Sequence, residues 1–195
     1  MTRFRTDRLL VVDLELTCWS GEPPVGMSPE IIEIGIVEID TAALEIARSA
    51  RYLVRPYRSE VSDFCADFTG LTAVELRSAR PFKEVSNTIR KAFGTQSKTW
   101  FGWGADNEAV ARECEANGAQ NPFSSSYVNF GHLWSLMTGV DHRIALEDAM
   151  KMVGSDPVGR LHSALADATN TARLWIELSR SVRPLIEPAP LTIAP

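Results

Sequence analysis

Residues 8–16, RLLVVDLEL, form a leucine- and valine-rich run that two acidic side chains interrupt. A run of this length and composition predicts a buried β-strand. Asp13 and Glu15 stand two residues apart, so a strand projects both carboxylates from one face while Leu14 and Leu16 take the other. Any fold of this chain must therefore expose that acidic face to water or supply it with a cation.

Both outcomes have a physical basis. Like charges held this close are unfavourable unless a cation lies between them, and ligation by oxygen atoms alone suits Mg²⁺ or Mn²⁺. The alternative is a strand whose acids face solvent, which is common on antiparallel sheets. The acid pair by itself leaves the two interpretations open.

The rest of the chain alternates between strand and helix patterns. A second strand is predicted at 31–39, after a loop rich in glycine and proline, and a third at 51–55, although propensity alone favours helix at 41–50. Further helices are predicted at 81–93, 106–117, 146–153 and about 163–181, and further strands at 98–103 and 127–130. The order β-β-β-α-β-α predicts an α/β domain with a mixed five-stranded sheet flanked by helices.

Length and composition favour one domain in a reducing compartment. The 195 residues are 45% hydrophobic, which is enough for one hydrophobic core. We predict a single domain at 1–183, followed by a proline-rich tail at 184–195. No run approaches the roughly 20 apolar residues of a membrane span, and the N-terminus does not resemble a secretory signal. The three cysteines include no CxxC pair, which disfavours a zinc site or a disulfide framework. We expect a cytoplasmic protein.

The net charge of −5 argues against a protein that coats nucleic acid, because such binding requires clustered lysine and arginine. It does not exclude a nuclease, since divalent cations offset the acids of an active site and one strand end needs only a local basic rim.

Three more candidates occur where elements begin. Asp106 follows the predicted strand at 98–103 and opens a helix, where the ordinary alternative is an N-cap. His162 and Asp167 lie five residues apart around the start of the last helix, with Ser163 as its predicted N-cap. At this position the helix dipole favours the carboxylate of Asp167. His162 lies just outside the helix, and the alternative for it is an ordinary surface loop histidine.

The order and spacing of these residues resemble the DEDDh exonucleases, a ribonuclease H-like group that includes oligoribonuclease, ribonuclease T and polymerase proofreading domains. Asp13-Leu14-Glu15 matches the first motif, Asp106 the second, and His162 with Asp167 the third. The chain is most similar to the branch that contains KapD and the exonucleases that restrain RNA interference. That similarity lies in three segments, DLELTCW from Asp13, EIIEIG from Glu30 and FTGLT from Phe68.

The resemblance implies a 3′–5′ exonuclease that releases nucleoside 5′-monophosphates from single-stranded nucleic acid, with RNA favoured and DNA possible. It implies two ions, Mg²⁺ or Mn²⁺, held by Asp13, Glu15 and Asp167, with Asp106 reaching the second ion directly or through water. His162 would be the general base and would also contact the substrate.

Side chains near the first motif and the FTGLT loop are candidates for contacts with the terminal bases. We nominate Leu16, Thr17 and Leu71; core packing is the alternative for the two leucines.

Two other functions are open at this level. Gly102-Trp103-Gly104 between a strand and a helix suggests a dinucleotide-binding turn, but the third glycine is missing and Trp103 would crowd a pyrophosphate. The second alternative is a catalytically silent module that keeps the fold and binds RNA without cutting it.

Overall fold

A five-stranded sheet forms the centre of the fold in a computed structural model that describes residues 5–140 and 144–185. Its strands are β1 (Arg5–Leu16), β2 (Ile31–Asp40), β3 (Glu45–Leu53), β4 (Lys98–Gly102) and β5 (Tyr127–Asn129). Their order in the sheet is β3-β2-β1-β4-β5, so β1, which carries the two acids, is the central strand. β1 pairs antiparallel with β2, and β2 with β3, whereas β4 is parallel to both β1 and β5. The mixed five-stranded sheet predicted from sequence is confirmed.

Seven α-helices lie within the described ranges. They are α1 (Asp63–Thr69), α2 (Ala73–Arg77), α3 (Phe82–Phe93), α4 (Asp106–Asn117), α5 (Phe130–Thr138), α6 (Leu146–Met152) and α7 (Ala164–Val182). Four were predicted, and glycines in the left-handed conformation end two of them, Gly94 after α3 and Gly118 after α4. Three short helices, α1, α2 and α5, were not predicted.

The third strand differs from its prediction. It begins at Glu45 rather than Arg51, and the preceding segment is a turn in which Asp40 Oδ1 accepts hydrogen bonds from the backbone N–H groups of Ala42 and Ala43, both at 3.0 Å. Pairing with β2 along its whole length outweighs the helical propensity of this segment, so the helical alternative is wrong.

Both faces of the sheet are covered, which explains the nearly continuous apolar run of β2. On one face, Leu10, Val12 and Leu14 of β1 pack in a cluster with residues of α3 and α4. On the other face, Val11 packs with the small residues of α7, including Ala168. Asp13 and Glu15 belong to this second face, so α7 covers the side of the sheet that carries the acids.

The predicted tail at 184–195 lies outside the described residues apart from Pro184 and Leu185, which form a 3₁₀ turn with Arg183. None of the helices in the described ranges is long and apolar enough to cross a lipid bilayer.

Gly35 allows α7 to approach the sheet at the acids. Gly35 is the β2 partner of Asp13, and a Cβ built on Gly35 would lie 2.1 Å from the carbonyl oxygen of Ala164, the first residue of α7. No side chain fits in that space, because the obstructing atoms belong to backbone. The missing side chain therefore places the start of α7 directly opposite Asp13.

Gly35→Ala should destabilise the protein by about 1–3 kcal/mol, as overpacking usually does, and should lower any activity that depends on α7 by at least about tenfold. Denaturant unfolding measures the first effect. Gly21→Ala is the matched control, since a Cβ at Gly21 meets nothing within 4 Å. Equal stability of the two variants would contradict the close contact.

Candidate active site

β1 holds the first two acids side by side on its α7-facing side. Asp13 is partly exposed, whereas the residue surface of Glu15 is only 7% exposed. Across the antiparallel pair, Glu15 faces Glu33 of β2, which adds a third carboxylate to this face.

Glu33 is occupied by structural contacts. One carboxylate oxygen accepts a hydrogen bond from Arg51 Nε of β3, and the other lies 3.2 Å from the backbone nitrogen of Ala164. A carboxylate at a helix N-terminus is stabilised by the helix dipole. Glu33 therefore holds α7 in place, a role that the sequence analysis did not assign.

The start of α7 brings the third motif to β1. Asp167 lies in the first turn, and its Oδ2 accepts a hydrogen bond of 3.0 Å from the backbone N–H of His162. One ligand atom each from Glu15, His162 and Asp167 lie within 4.8 Å of one another. Ser163 is the N-cap residue as predicted, but its side chain makes no capping hydrogen bond.

Asp106 approaches from the end of β4. A Cβ on Gly102 would lie 2.2 Å from Oδ2 of Asp106, so this glycine leaves room for the carboxylate. The same oxygen lies 3.3 Å from the backbone nitrogen of Gly104 and 3.5 Å from the Tyr127 hydroxyl. The helix N-cap is Ala105, so the N-cap alternative for Asp106 is wrong.

The acids raise one another's pKa values. Burial raises the pKa of Asp13 well above its usual range, and the charges of Asp106 and Asp167 raise it further. Burial, followed by the charges of Asp167 and Glu33, raises the pKa of Glu15 to about 8. Burial also raises the pKa of Asp167, although the His162 backbone N–H and ring oppose this. The folded protein thus resists ionising these groups unless positive charge is supplied.

The donor atoms fit divalent cations. Within residues 5–140 and 144–185, Oδ1 of Asp167 is buried and has no hydrogen-bond partner, which is costly unless a ligand occupies it. A cluster of carboxylate oxygens matches the preference of Mg²⁺ and Mn²⁺. The arrangement is suited to holding metal ions against a phosphate.

A cavity of about 280 Å³ joins these groups, lined by Asp13, Trp103, Ala145, Leu146, Glu147, Leu161, His162 and Asp167. Residues of α6 form one wall, so the short helix closes the site on one side. A larger cavity of about 470 Å³ lies between the β3–α1 connection and α2 and contains none of the predicted site residues.

Of the three side chains predicted to contact the nucleotide, Thr17 and Leu71 are buried and Leu16 is partly exposed. Thr17 is 0% and Leu71 is 1% exposed. The Thr17 hydroxyl accepts a hydrogen bond from the backbone N–H of Glu30, and Leu71 packs with Ile32 in a buried cluster. Such burial is typical of core residues and does not support contact with a base, whereas Leu16 is partly exposed.

Trp103 excludes the dinucleotide-binding alternative. Its side chain is buried, and its indole N–H donates to the carbonyl oxygen of Ile144 at 2.9 Å. Gly102 leaves space for the Asp106 carboxylate, so this turn presents an acid where a pyrophosphate would need backbone N–H groups.

A ribonuclease H-like sheet whose central strand carries carboxylates that meet a histidine defines a nuclease of the metal-dependent DEDDh class. The chain belongs to the exonuclease family (RNase_T), whose sequence profile matches residues 10–175.

Named relatives support the same family. The chain is 28% identical to 3′-5′ exoribonuclease 1 of Homo sapiens over 187 residues, which are 88% of this chain and 52% of that protein. It is 29% identical to ERI1 exoribonuclease 2 of Mus musculus, covering 88% of this chain and 28% of that protein. The chain thus spans about half, or less, of the length of these relatives.

Solved structures agree on the fold. The nuclease domain of 3′hExo, a DEDDh family member bound to rAMP, superposes with a TM-score of 0.81 at 26% identity, covering 90% of this chain and 92% of that one. E. coli Exonuclease I in complex with a dT13 oligonucleotide superposes with a TM-score of 0.68 at 14% identity, covering 92% of this chain and 42% of that one.

The raised carboxyl pKa values predict an unusual stability profile without metal. The pKa of Glu15 is about 8 in the folded protein against an ordinary 4.5, so the folded state binds the proton more tightly than the unfolded state. Protonated Glu15 therefore contributes fully to the free energy of unfolding below pH 4.5, and this contribution is lost as pH rises to about 8. Melting temperatures in EDTA should therefore fall across that window, and saturating Mg²⁺ should restore them.

Glu15→Gln should flatten part of that fall, while Glu115→Gln, at an exposed position on α4, should leave it unchanged. A metal-free protein that becomes more stable between pH 5 and 8 would be incompatible with crowded, buried carboxylates.

Proposed function

We propose that the chain is a metal-dependent exonuclease that removes nucleoside 5′-monophosphates stepwise from the 3′ end of single-stranded RNA, or of DNA. The observation that carries the proposal is the meeting of Glu15, His162 and Asp167 within 4.8 Å, beside Asp13 in one cavity. The exoribonuclease names of the relatives favour RNA. Residues 1–183 would form the exonuclease domain, in the cytoplasm.

Asp13, Glu15 and Asp167 would hold two Mg²⁺ or Mn²⁺ ions, and Asp106 would reach the second. When bound, such a pair supplies an activated water and stabilises the leaving 3′ oxygen of an in-line displacement. Two observations support this assignment: Oδ1 of Asp167 is buried without a hydrogen-bond partner, and Glu15 is buried. Each carboxylate needs nearby positive charge to remain ionised in such surroundings.

His162 would accept the proton of the attacking water. His162 is exposed, lines the cavity, and brings a ring nitrogen within 4.8 Å of carboxylate oxygens of Glu15 and Asp167. An imidazole at such a position suits general-base catalysis near neutral pH.

The wall formed by α6 favours a strand end over an internal segment. Ala145, Leu146 and Glu147 border the cavity beside His162, which leaves room for a terminal nucleotide. Leu16, partly exposed beside Glu15, would contact the last base. We propose single-stranded 3′ ends as the substrate because unstacked terminal bases enter such a cavity at the lowest cost.

RNA labelled at its 5′ end should be shortened one nucleotide at a time with Mg²⁺ or Mn²⁺, with nucleoside 5′-monophosphates as products. EDTA or Asp167→Asn should reduce cleavage to background. EDTA removes the ions, and Asp167→Asn removes a carboxylate that would hold them, so the charge that develops at the scissile phosphate is no longer compensated. Gels and product chromatography measure this; matched DNA oligomers report sugar preference.

Rapid cutting of a covalently closed single-stranded circle would contradict an exonuclease. Binding of RNA with no cleavage in either metal would favour the silent binding module.

His162→Ala should keep metal and substrate binding but lose about 10² to 10⁴ in turnover, the usual contribution of positioned proton transfer. Single-turnover rates at saturating Mg²⁺ measure the loss. His132→Ala on α5, whose side chain is exposed, is the matched control and should behave like wild type. A His162→Ala variant within a few-fold of wild type would remove the histidine from the mechanism.

A further inference from the structure

The ring of His162 has a stacking partner on α1. Phe68 lies one residue before the last residue of that helix, and its ring stacks on the imidazole with centroids 3.8 Å apart and an interplanar angle of 25°. Phe64, one helical turn earlier, stacks behind Phe68 at 5.7 Å and 11°. The histidine that we propose as general base thus continues a short column of aromatic rings.

A second contact fixes α1 to the segment that carries the histidine. The guanidinium of Arg160 donates to the carbonyl oxygens of Asp67 at 2.6 Å and of Phe68 at 3.4 Å. A cation at these carbonyls is favoured by the helix dipole and by their lack of partners within the helix. Gly70 makes the approach possible, because a Cβ there would lie 1.4 Å from Nη1 of Arg160.

The backbone of His162 is held in an uncommon conformation. Its φ of +59° lies in the left-handed region, which a residue other than glycine rarely adopts. Oδ2 of Asp167 stabilises this conformation by accepting the His162 N–H. The backbone therefore sets the direction of the Cα–Cβ bond but leaves the two side-chain torsions of an exposed residue free.

We propose that Phe68 is a positioning residue that restricts those torsions and keeps the imidazole nitrogen turned toward Glu15 and Asp167. The inference rests on the proposed function, since it concerns the general base of that reaction. Phe68 contacts the ring face, which leaves the edge of the imidazole available to the attacking water. The short helix α1 would thus contribute to catalysis without contacting the reacting atoms.

The competing explanation is that Phe68 binds substrate directly. The residue is 40% exposed and Phe64 is 41% exposed, so both rings are accessible for stacking on a base. A base platform would affect substrate affinity, whereas a positioning residue affects the chemical step. The two explanations therefore predict different kinetic parameters.

Phe68→Ala should lower kcat by about tenfold to 10²-fold, the scale expected from a small misplacement of a catalytic group, with KM within about threefold of wild type. Phe68→Tyr keeps the ring and should restore most of the rate. Phe64→Ala leaves the ring against His162 in place, so its kcat should stay within a few-fold of wild type. A raised KM with unchanged kcat would overturn the proposal.

A double-mutant cycle separates this inference from the proposed function. If Phe68 acts through His162, the Phe68→Ala/His162→Ala variant should be no slower than His162→Ala alone. Multiplicative losses would mean that Phe68 acts on the substrate instead. An inconsequential His162→Ala would contradict the proposed function itself, whereas a strong His162→Ala effect with a normal Phe68→Ala would refute only the positioning role.

A measurement on the metal-free protein tests the stacking without activity. The carbon-bound ring protons of His162 should be shifted upfield in the NMR spectrum by the face of Phe68. The spectrum of His162→Ala assigns their signals among the three histidines. Phe68→Ala should abolish the shift and Phe64→Ala should preserve most of it; an unshifted wild-type signal would show that the rings do not stack in solution.

Discussion

The close approach of α7 to the sheet at Gly35 is the contact on which the proposed site depends. Because Gly35 has no side chain, the backbone of Ala164 lies against β2 at the position paired with Asp13. Glu33 strengthens this contact by accepting the Ala164 N–H. The start of α7 then brings Asp167 and His162 to the acids of β1, so the packing at one glycine determines the geometry of the proposed catalytic site.

The same contact brings several carboxylates close together, and these repel one another. Burial, together with repulsion from neighbouring carboxylates that include Glu33, raises the pKa values of Asp13, Glu15 and Asp167, which opposes folding of the metal-free ionised protein. The apolar clusters on both faces of the sheet offset that cost. Divalent cations bound at these carboxylates would relieve the repulsion.

Sequence patterns predicted the five-stranded sheet and four of the helices because these depend on local spacing, although β3 begins at Glu45 rather than at the predicted Arg51. Spacing also nominated Glu15, His162 and Asp167, which the structure brings within 4.8 Å of one another.

Three short helices, α1, α2 and α5, were not predicted; α1 and α2 have seven and five residues and give only a weak apolar period. The helix α6 is also seven residues long, but Gly154 just beyond it marked its end in the sequence. A signal existed for α2, since Thr72 and Glu75 stand at capping-box spacing and the Thr72 hydroxyl accepts the Glu75 N–H. The close contact at Gly35 and the stacking of Phe68 on His162 could not be predicted, because both arise only where segments distant in the sequence meet.

As proposed above, Asp13, Glu15 and Asp167 would together bind two catalytic cations. Anomalous scattering from crystals containing Mn²⁺ and a nucleoside 5′-monophosphate tests this most directly. We expect two Mn²⁺ ions at the carboxylates of Asp13, Glu15 and Asp167, with His162 outside the ligand set. A single ion held by His162, or no ion at these carboxylates, would contradict it.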